Sequence, residues 1–489
     1  MAQIAFDYWS GLVRYHTDFL NSFFKSVGYF SVAESKKAFS LQPWSALPAY
    51  AELLSINVEL AQQTMSSSTD TVVDYHMSEI NNAFASLMAT FNGSGQGDIY
   101  EYIRSVAGVL NAVSVEFPKE IKNIAAEFGY DFNNGQYEKI AESDRFYLYQ
   151  VLPNEPGIDI RNNGKPILIV HPYVLGADIL AFLPGEKKSY VHCFANQGIP
   201  TYVRILKDIN MNPAVQIITL EDDIRDTKRF CEIIVKKHNR TMTLNGYCQG
   251  GLITLCNILS GKLDGLVDTH ITCVAPIDGS RSKGFGHFLR NLPDRFNDLA
   301  YGTKRLPNGN TVADGDLMAF VYRLKSIKDE YPLIAFYRSL AMSGHLQKKG
   351  ARLSKTAAAI NFWLSSQRHD LPMEITRLSF ASYNTPISGD GTLPFPAFNR
   401  KLNMKYFDKK KIKWLICYGE SDSLVEKECA LAPLDYIKAE ATPFPKGHVA
   451  IATSWSLPTS ACALHTRFGK GYRGPVRFQL DMEQEKYQL

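Results

Sequence analysis

At 489 residues the chain exceeds what one hydrophobic core normally organises, so two or three domains are expected. Its 45% apolar and 21% charged residues are ordinary for a folded globular protein and exclude a long disordered chain. The formal charge is only +4 and the one dense basic run is "DKKKIKW" at 408–414, which excludes the basic stripe of a nucleic-acid binder.

In chain order, residues 1–140 read as a helical N-terminal domain. Phe6, Trp9, Leu12, Val13, Phe19, Leu20, Phe23 and Phe24 recur at near-helical spacing, as do Ile103, Val106, Val109, Leu110 and Val113. A "SLQPWSALP" break and a polar "SSSTD" stretch lie between them. Such stripes are helix-packing surfaces, or else amphipathic faces that dock on a partner, a granule or a lipid interface; the lack of a cationic face argues against lipid. The first residues carry charges too early for a secretory signal, and no run of about 18 apolar residues could span a membrane, so a cytoplasmic protein is expected.

From about 145 the texture changes. "RFYLYQVLP", "KPILIVHPYVLG" and "PTYVRIL" (200–206) are short β-branched and aromatic runs punctuated by Pro or Gly. A helical "DDIRDTKRFCEIIVKKHN" follows, then "TMTLNGYC", the apolar "LITLCNILSG" and "THITCVAPI" (269–277). The alternation predicts an α/β fold, a mostly parallel sheet with helices on both faces. It stops near 281 and resumes at "KIKWLICYG" (411–419) and "EATPFPKGHVAIA" (440–452). The expected layout is therefore core at 141–280, an inserted, mainly helical cap at 281–405 ("GDLMAFVYRLKSI", "EYPLIAFYRSLAMSG", "TAAAINFWLSSQ"), and core plus C-terminal tail at 406–489.

Eight scattered cysteines form no CxxC pair, which suits reduced thiols rather than a disulfide framework. None of the 11 histidines forms HExxH, and neither GxGxxG nor a Walker loop occurs, so neither metal nor nucleotide cofactor is expected. One cysteine stands apart. "NGYCQGG" places Cys248 between a strand and a helix with glycines on both sides, the G-x-nucleophile-x-G elbow that holds a side chain above a sheet. The helix N-terminus just beyond supplies positive potential that favours a thiolate.

Such an elbow requires an acid and then a histidine further along the chain. "WLICYGESDSLV" delivers Asp422 after an apolar strand, and "FPKGHVAIA" delivers His448 after another. Singly, Asp422 could start a turn and His448 could cap a helix; their order on the expected elements argues for a triad. His448 would take the thiol proton and Asp422 would orient the ring. For the oxyanion, one donor would be the Gln249 N–H at the helix start, the other Tyr173 or Val174 in the loop after the first parallel strand. His171 in that loop could line the pocket or make a structural hydrogen bond.

These residues resemble those of polyhydroxyalkanoate (PHA) synthases in the α/β-hydrolase superfamily. The family's G-Y/F-C-x-G-G box is matched at 246–251, with Asp and His following in the same order. "PILIVHPYVLGADIL", "LPGEKKSYVHCFANQGIPTYV" and the tryptophan-bearing "FWLSSQRHDLPMEI" resemble the family's first core strand and loop, its next helix and strand, and its cap segment. The likeness spans about 145–455. It implies that Cys248 carries an acyl group, that His448 is the base, and that Asp422 helps activate a substrate hydroxyl. The implied substrates are 3-hydroxyacyl-coenzyme A thioesters, joined into polyester with release of coenzyme A. A homodimer through the cap and a PHA granule surface are the implied partners. The chain departs from the family at Ser423, where His commonly follows the Asp, at Leu364 after Trp363, and in a tail lacking the usual tryptophans. Two alternatives stay open: a cysteine hydrolase of the dienelactone-hydrolase, polyester or thioester kind, and a noncatalytic granule-binding relative.

Overall fold

The computed structural model describes residues 73–93, 99–112, 116–291, 302–315, 355–367 and 369–485, with isolated positions at 48, 51, 55, 97 and 318. The chain divides into two units, one of residues 1–126 and 316–366, the other of 127–315 and 367–489. The apolar stripe at 6–24 and most of the segments at 315–327 and 330–344 lie outside the described residues.

The second unit is built on an eight-stranded sheet. Its strands are β1 (Tyr137–Glu142), β2 (Phe146–Val151), β3 (Ile167–Val170), β4 (Thr201–Leu206), β5 (Met242–Tyr247), β6 (Val267–Cys273), β7 (Lys413–Gly419) and β8 (Glu440–Phe444). They lie in the order β1-β2-β4-β3-β5-β6-β7-β8. β1 and β2 form an antiparallel edge and β2 runs antiparallel to β4, whereas every later pairing is parallel. This is the α/β-hydrolase arrangement. Covering on both faces explains why the "ILIV" of β3 and all six residues of β5 are buried: central parallel strands carry apolar runs rather than alternation. Register pairs Val170 with Gly246, Tyr247 with Cys273 and Cys273 with Cys417, so the carboxyl ends of β3, β5, β6 and β7 share one edge. Ligand sites of open α/β sheets form at that edge.

Helix α1 (Leu220–His238) starts with a capping box between Thr219 and Asp222. Acidic residues fill its first turn and Lys236, Lys237 and His238 its last, complementing the helix dipole. Helix α2 (Gln249–Leu259) is buried along its whole length, consistent with its uncharged sequence. Beneath the sheet edge sits a buried ion pair, Arg204–Asp223 at 2.7 Å, with side chains 1% and 0% exposed. Asp223 also accepts from Tyr173 Oη at 2.6 Å and Asn257 Nδ2 at 2.9 Å, while the Arg204 guanidinium lies 4.2 Å over the Phe146 ring. A buried charge pair persists only when such further partners satisfy it. Here they join β4, α1, α2 and the loop after β3.

Between β6 and β7 the described chain mixes helices, among them Phe285–Asn291 and Lys355–Ser366, with short strands. It contributes a three-stranded sheet of residues 303–305, 311–313 and 371–372, helix α3 (Met373–Asn384), and a hairpin of residues 392–397 and 400–403. The three-stranded sheet joins segments nearly sixty positions apart, so no local pattern announces it.

The first unit contains a helix at 73–91, then Ile99–Asn111, Phe117–Asn123 and Lys355–Ser366. Tyr102 Oη donates to the Glu79 carbonyl at 2.8 Å, tying the first two together. Of the stripe at 103–113, Val109 is buried and Ile103 is exposed; Val113 lies outside the described residues. Trp363 is buried. No described helix is long and apolar enough to cross a membrane.

Candidate active site

Where β5 ends and α2 begins, Cys248 takes φ 53° and ψ −126°. This is a left-handed backbone that a residue with a side chain adopts only when its surroundings force it. The forcing groups are identifiable. The Cys248 N–H donates to the Cys273 carbonyl and the Gly251 N–H to the Cys248 carbonyl, both at 2.8 Å. A Cβ on Gly246 would lie 2.4 Å from the Gly250 carbonyl oxygen, and one on Gly250 would lie 2.4 Å from that of Val170. The box glycines thus allow backbones to meet at the turn. Cys248 itself is 8% exposed.

The acid and the histidine arrive from the far side of the insertion. β7 ends at Gly419, where a Cβ would come within 2.5 Å of the Lys446 carbonyl oxygen and 3.1 Å of the Asp422 Cβ. This close approach presses the two loops together. His448 Nδ1 lies 2.8 Å from Asp422 Oδ2. The other carboxylate oxygen accepts from the N–H groups of Leu424 and Val425, both at 2.9 Å, which leaves Asp422 buried and anchored. His448 Nε2 is buried and makes no hydrogen bond among the described residues. Burial opposes a charge on the ring, but the Asp422 carboxylate and the neighbouring Cys248 sulfur prevail and hold its pKa well above the usual imidazole value.

Tyr247, which the sequence pattern does not single out, adds a contact. Its hydroxyl donates to the His448 carbonyl at 2.8 Å, and its ring meets the imidazole edge-on at 6.3 Å. The signal is present as the aromatic residue before the nucleophile, but nothing local shows that it reaches a loop two hundred residues on.

The oxyanion-hole candidates separate in the structure. Gln249 is the first residue of α2, and its N–H has no partner among the described residues. The Val174 N–H points toward the same residue: it donates to Gln249 Oε1 at 3.0 Å. Gln249 Nε2 in turn donates to Ser379 Oγ on α3. Tyr173 is buried, with its hydroxyl committed to Asp223, so its side chain anchors the loop. His171 has a structural role: Nδ1 lies 2.9 Å from the Pro172 carbonyl and Nε2 accepts from the Leu206 N–H at 3.3 Å. Burial pushes its pKa down to about 4, keeping the ring neutral as that pairing requires.

All eight cysteines are free thiols. Among the described residues, no three His, Cys, Asp or Glu side chains are grouped to hold a metal ion.

No protein-family model matches the chain, and no curated protein does. Solved structures similar to it include a carboxylesterase of the ammonia-oxidising thaumarchaeon Nitrososphaera gargenis, at 15% identity over 65% of this chain and 92% of that one, with a TM-score of 0.35. An esterase from Rhodococcus sp. ECU1013 is similar at 14% identity over 72% and 99% of the two chains, with a TM-score of 0.33. The epoxide hydrolase of Bacillus megaterium is similar at 13% over 64% and 94%, also with a TM-score of 0.33.

Proposed function

We propose that the protein is an acyl-transfer enzyme in which Cys248 carries the acyl group, His448 moves the protons and Asp422 orients and charges the imidazole. The observation that carries this is the strained placement of Cys248 at the head of α2 beside a His448 ring held 2.8 Å from a buried, doubly anchored Asp422. A scaffold has no use for that combination. In the first step the Cys248 sulfur, whose proton His448 already holds, attacks a thioester carbonyl. A new carbon–sulfur bond forms, the bond to the leaving thiol breaks, and that thiol departs with the proton from His448. The oxyanion formed meanwhile is held by the Gln249 N–H and the Val174 N–H. In the second step an acceptor hydroxyl gives its proton to His448, its oxygen bonds to the acyl carbon, and the Cys248 thioester breaks, its electron pair staying on the sulfur and restoring the starting pair with protonated His448.

The finer reading is that the donors are 3-hydroxyacyl-coenzyme A thioesters and that the acceptor is the hydroxyl of a growing polyester. Its support is the PHA-synthase-like box, the order of the acid and histidine, and the long insertion before Asp422. Water as the acceptor gives the alternative, a cysteine-dependent α/β hydrolase, and the hydrolase-type sheet order suits it equally. Incubation with 3-hydroxybutyryl-coenzyme A decides between them. Thiol release with polymer supports the synthase, release with free 3-hydroxybutyrate supports the hydrolase, and absence of release removes this thioester from consideration. Dimerisation and association with a PHA granule belong to the synthase reading and stand or fall with it.

A further inference from the structure

The side chain of Gln249 is committed in a way that the acyl-transfer cycle must undo. Its Oε1 accepts from the Val174 N–H at 3.0 Å, the donor assigned above to the oxyanion, and its Nε2 is tied to Ser379 on α3. Ser379 Oγ is itself fixed by a 3.2 Å bond to the Ile375 carbonyl. When an acyl oxygen takes the Val174 N–H, the carboxamide keeps its tether to Ser379 but its oxygen loses its donor. Gln249 is only 4% exposed, so bulk water is a poor replacement. A buried acceptor left without a donor carries a penalty, and one that finds a donor does not.

We propose that Gln249 is a specificity-determining residue that favours acyl groups bearing a hydroxyl close to the carbonyl, because that hydroxyl replaces the Val174 N–H as donor to Oε1. The inference rests on Cys248 being the acyl carrier and names the group that reads its substrate. An exchange of partners also keeps the hole filled until an acyl oxygen arrives. A 3-hydroxyacyl chain supplies the donor two carbons from the reacting centre, whereas a plain acyl chain of equal length supplies none.

The test compares single-turnover thiol release from 3-hydroxybutyryl-coenzyme A and butyryl-coenzyme A in the wild-type protein, Gln249→Leu and Ser379→Ala. The wild-type protein should favour the hydroxylated thioester by roughly 5- to 100-fold in rate over dissociation constant, the range spanned by one unpaired buried acceptor. Gln249→Leu should bring that ratio to within about twofold of unity, and Ser379→Ala, which frees the carboxamide, should narrow it less. A ratio that survives Gln249→Leu, or a wild-type protein indifferent to the hydroxyl, overturns the proposal. Alkylation of Cys248 by iodoacetamide, located by mass spectrometry, reports an intact elbow in each variant. If alkylation persists while neither thioester releases thiol in the wild-type protein, the acyl-transfer function itself fails and this proposal with it.

Discussion

Asp422 accepts three hydrogen bonds, two from the backbone of its own loop and one from the His448 ring, so its position does not depend on substrate. Replacing it with Asn keeps the shape but removes the charge that outweighs burial at His448. Asp422→Asn should lower thiol-release turnover by about 10³- to 10⁴-fold, as expected when a triad imidazole loses its anionic partner. The same pair has a stability signature. The folded pKa of His448 lies above its unfolded value of about 6.5, so the stabilisation from its charged contacts is complete below that value. It is lost as pH rises through the raised folded pKa. Thermal unfolding of the wild-type protein should therefore come at lower temperature on the alkaline side, and this component should shrink in Asp422→Asn, where only the Cys248 contact is left. Tyr247→Phe removes the hydroxyl that holds the His448 carbonyl and should cost about 1 kcal/mol, read as a small fall in midpoint temperature and a few-fold loss of turnover. Cys248, Asp422 and His448 are legible because their neighbours are constrained locally: small residues around an elbow, and polar residues just past apolar strands. The Gln249 side chain is not, since its partners lie 75 and 130 positions away.

At the scale of elements, the turn around Cys248 and the meeting of the loops after β7 and β8 depend on backbones that approach without a Cβ between them. Gly250→Ala would set a methyl group 2.4 Å from the Val170 carbonyl oxygen, and Gly419→Ala would set one 2.5 Å from that of Lys446. Each should destabilise by about 1–3 kcal/mol or more, because the obstacle is main chain and cannot rotate aside. Gly447→Ala is the contrast. Next to His448 it invites the same suspicion from sequence, yet its added Cβ would sit at an ordinary 3.4 Å from the Ser421 carbonyl oxygen. Denaturation midpoints of the three variants should separate the first two from the third. The parallel core is readable because apolar runs such as "ILIV" and "WLIC" mark strands buried on both faces. The small sheet of 303–305, 311–313 and 371–372 is hidden because two- and three-residue strands leave no periodicity, and their pairing is set by contacts far apart in sequence.

For the whole molecule, pH acts through histidines that folding hides. Burial pushes His171 and His192 down to about 4 and His270 to about 3. An unfolded chain binds these protons near pH 6.5 while the native one refuses them, so stability falls as pH drops from about 6.5 toward 4. Each group costs up to roughly 3–5 kcal/mol by the time the pH reaches its folded value, at about 1.4 kcal/mol for every tenfold weakening of proton binding. The melting temperature should decline across that window before most carboxylates titrate. Composition gives no hint of this, because burial is a property of the assembled sheet. The sheet order has one more outcome, in time rather than space. Cys248 is in place once β3, β5 and β6 have joined, but Asp422 and His448 belong to β7, β8 and their loops, two hundred residues further along. During synthesis at ~5–20 residues per second, a nascent chain spends roughly 10–40 s with its elbow cysteine made and its imidazole not yet translated. The thiol is therefore armed only once β8 and the loop after it have been made, well after the elbow that holds it.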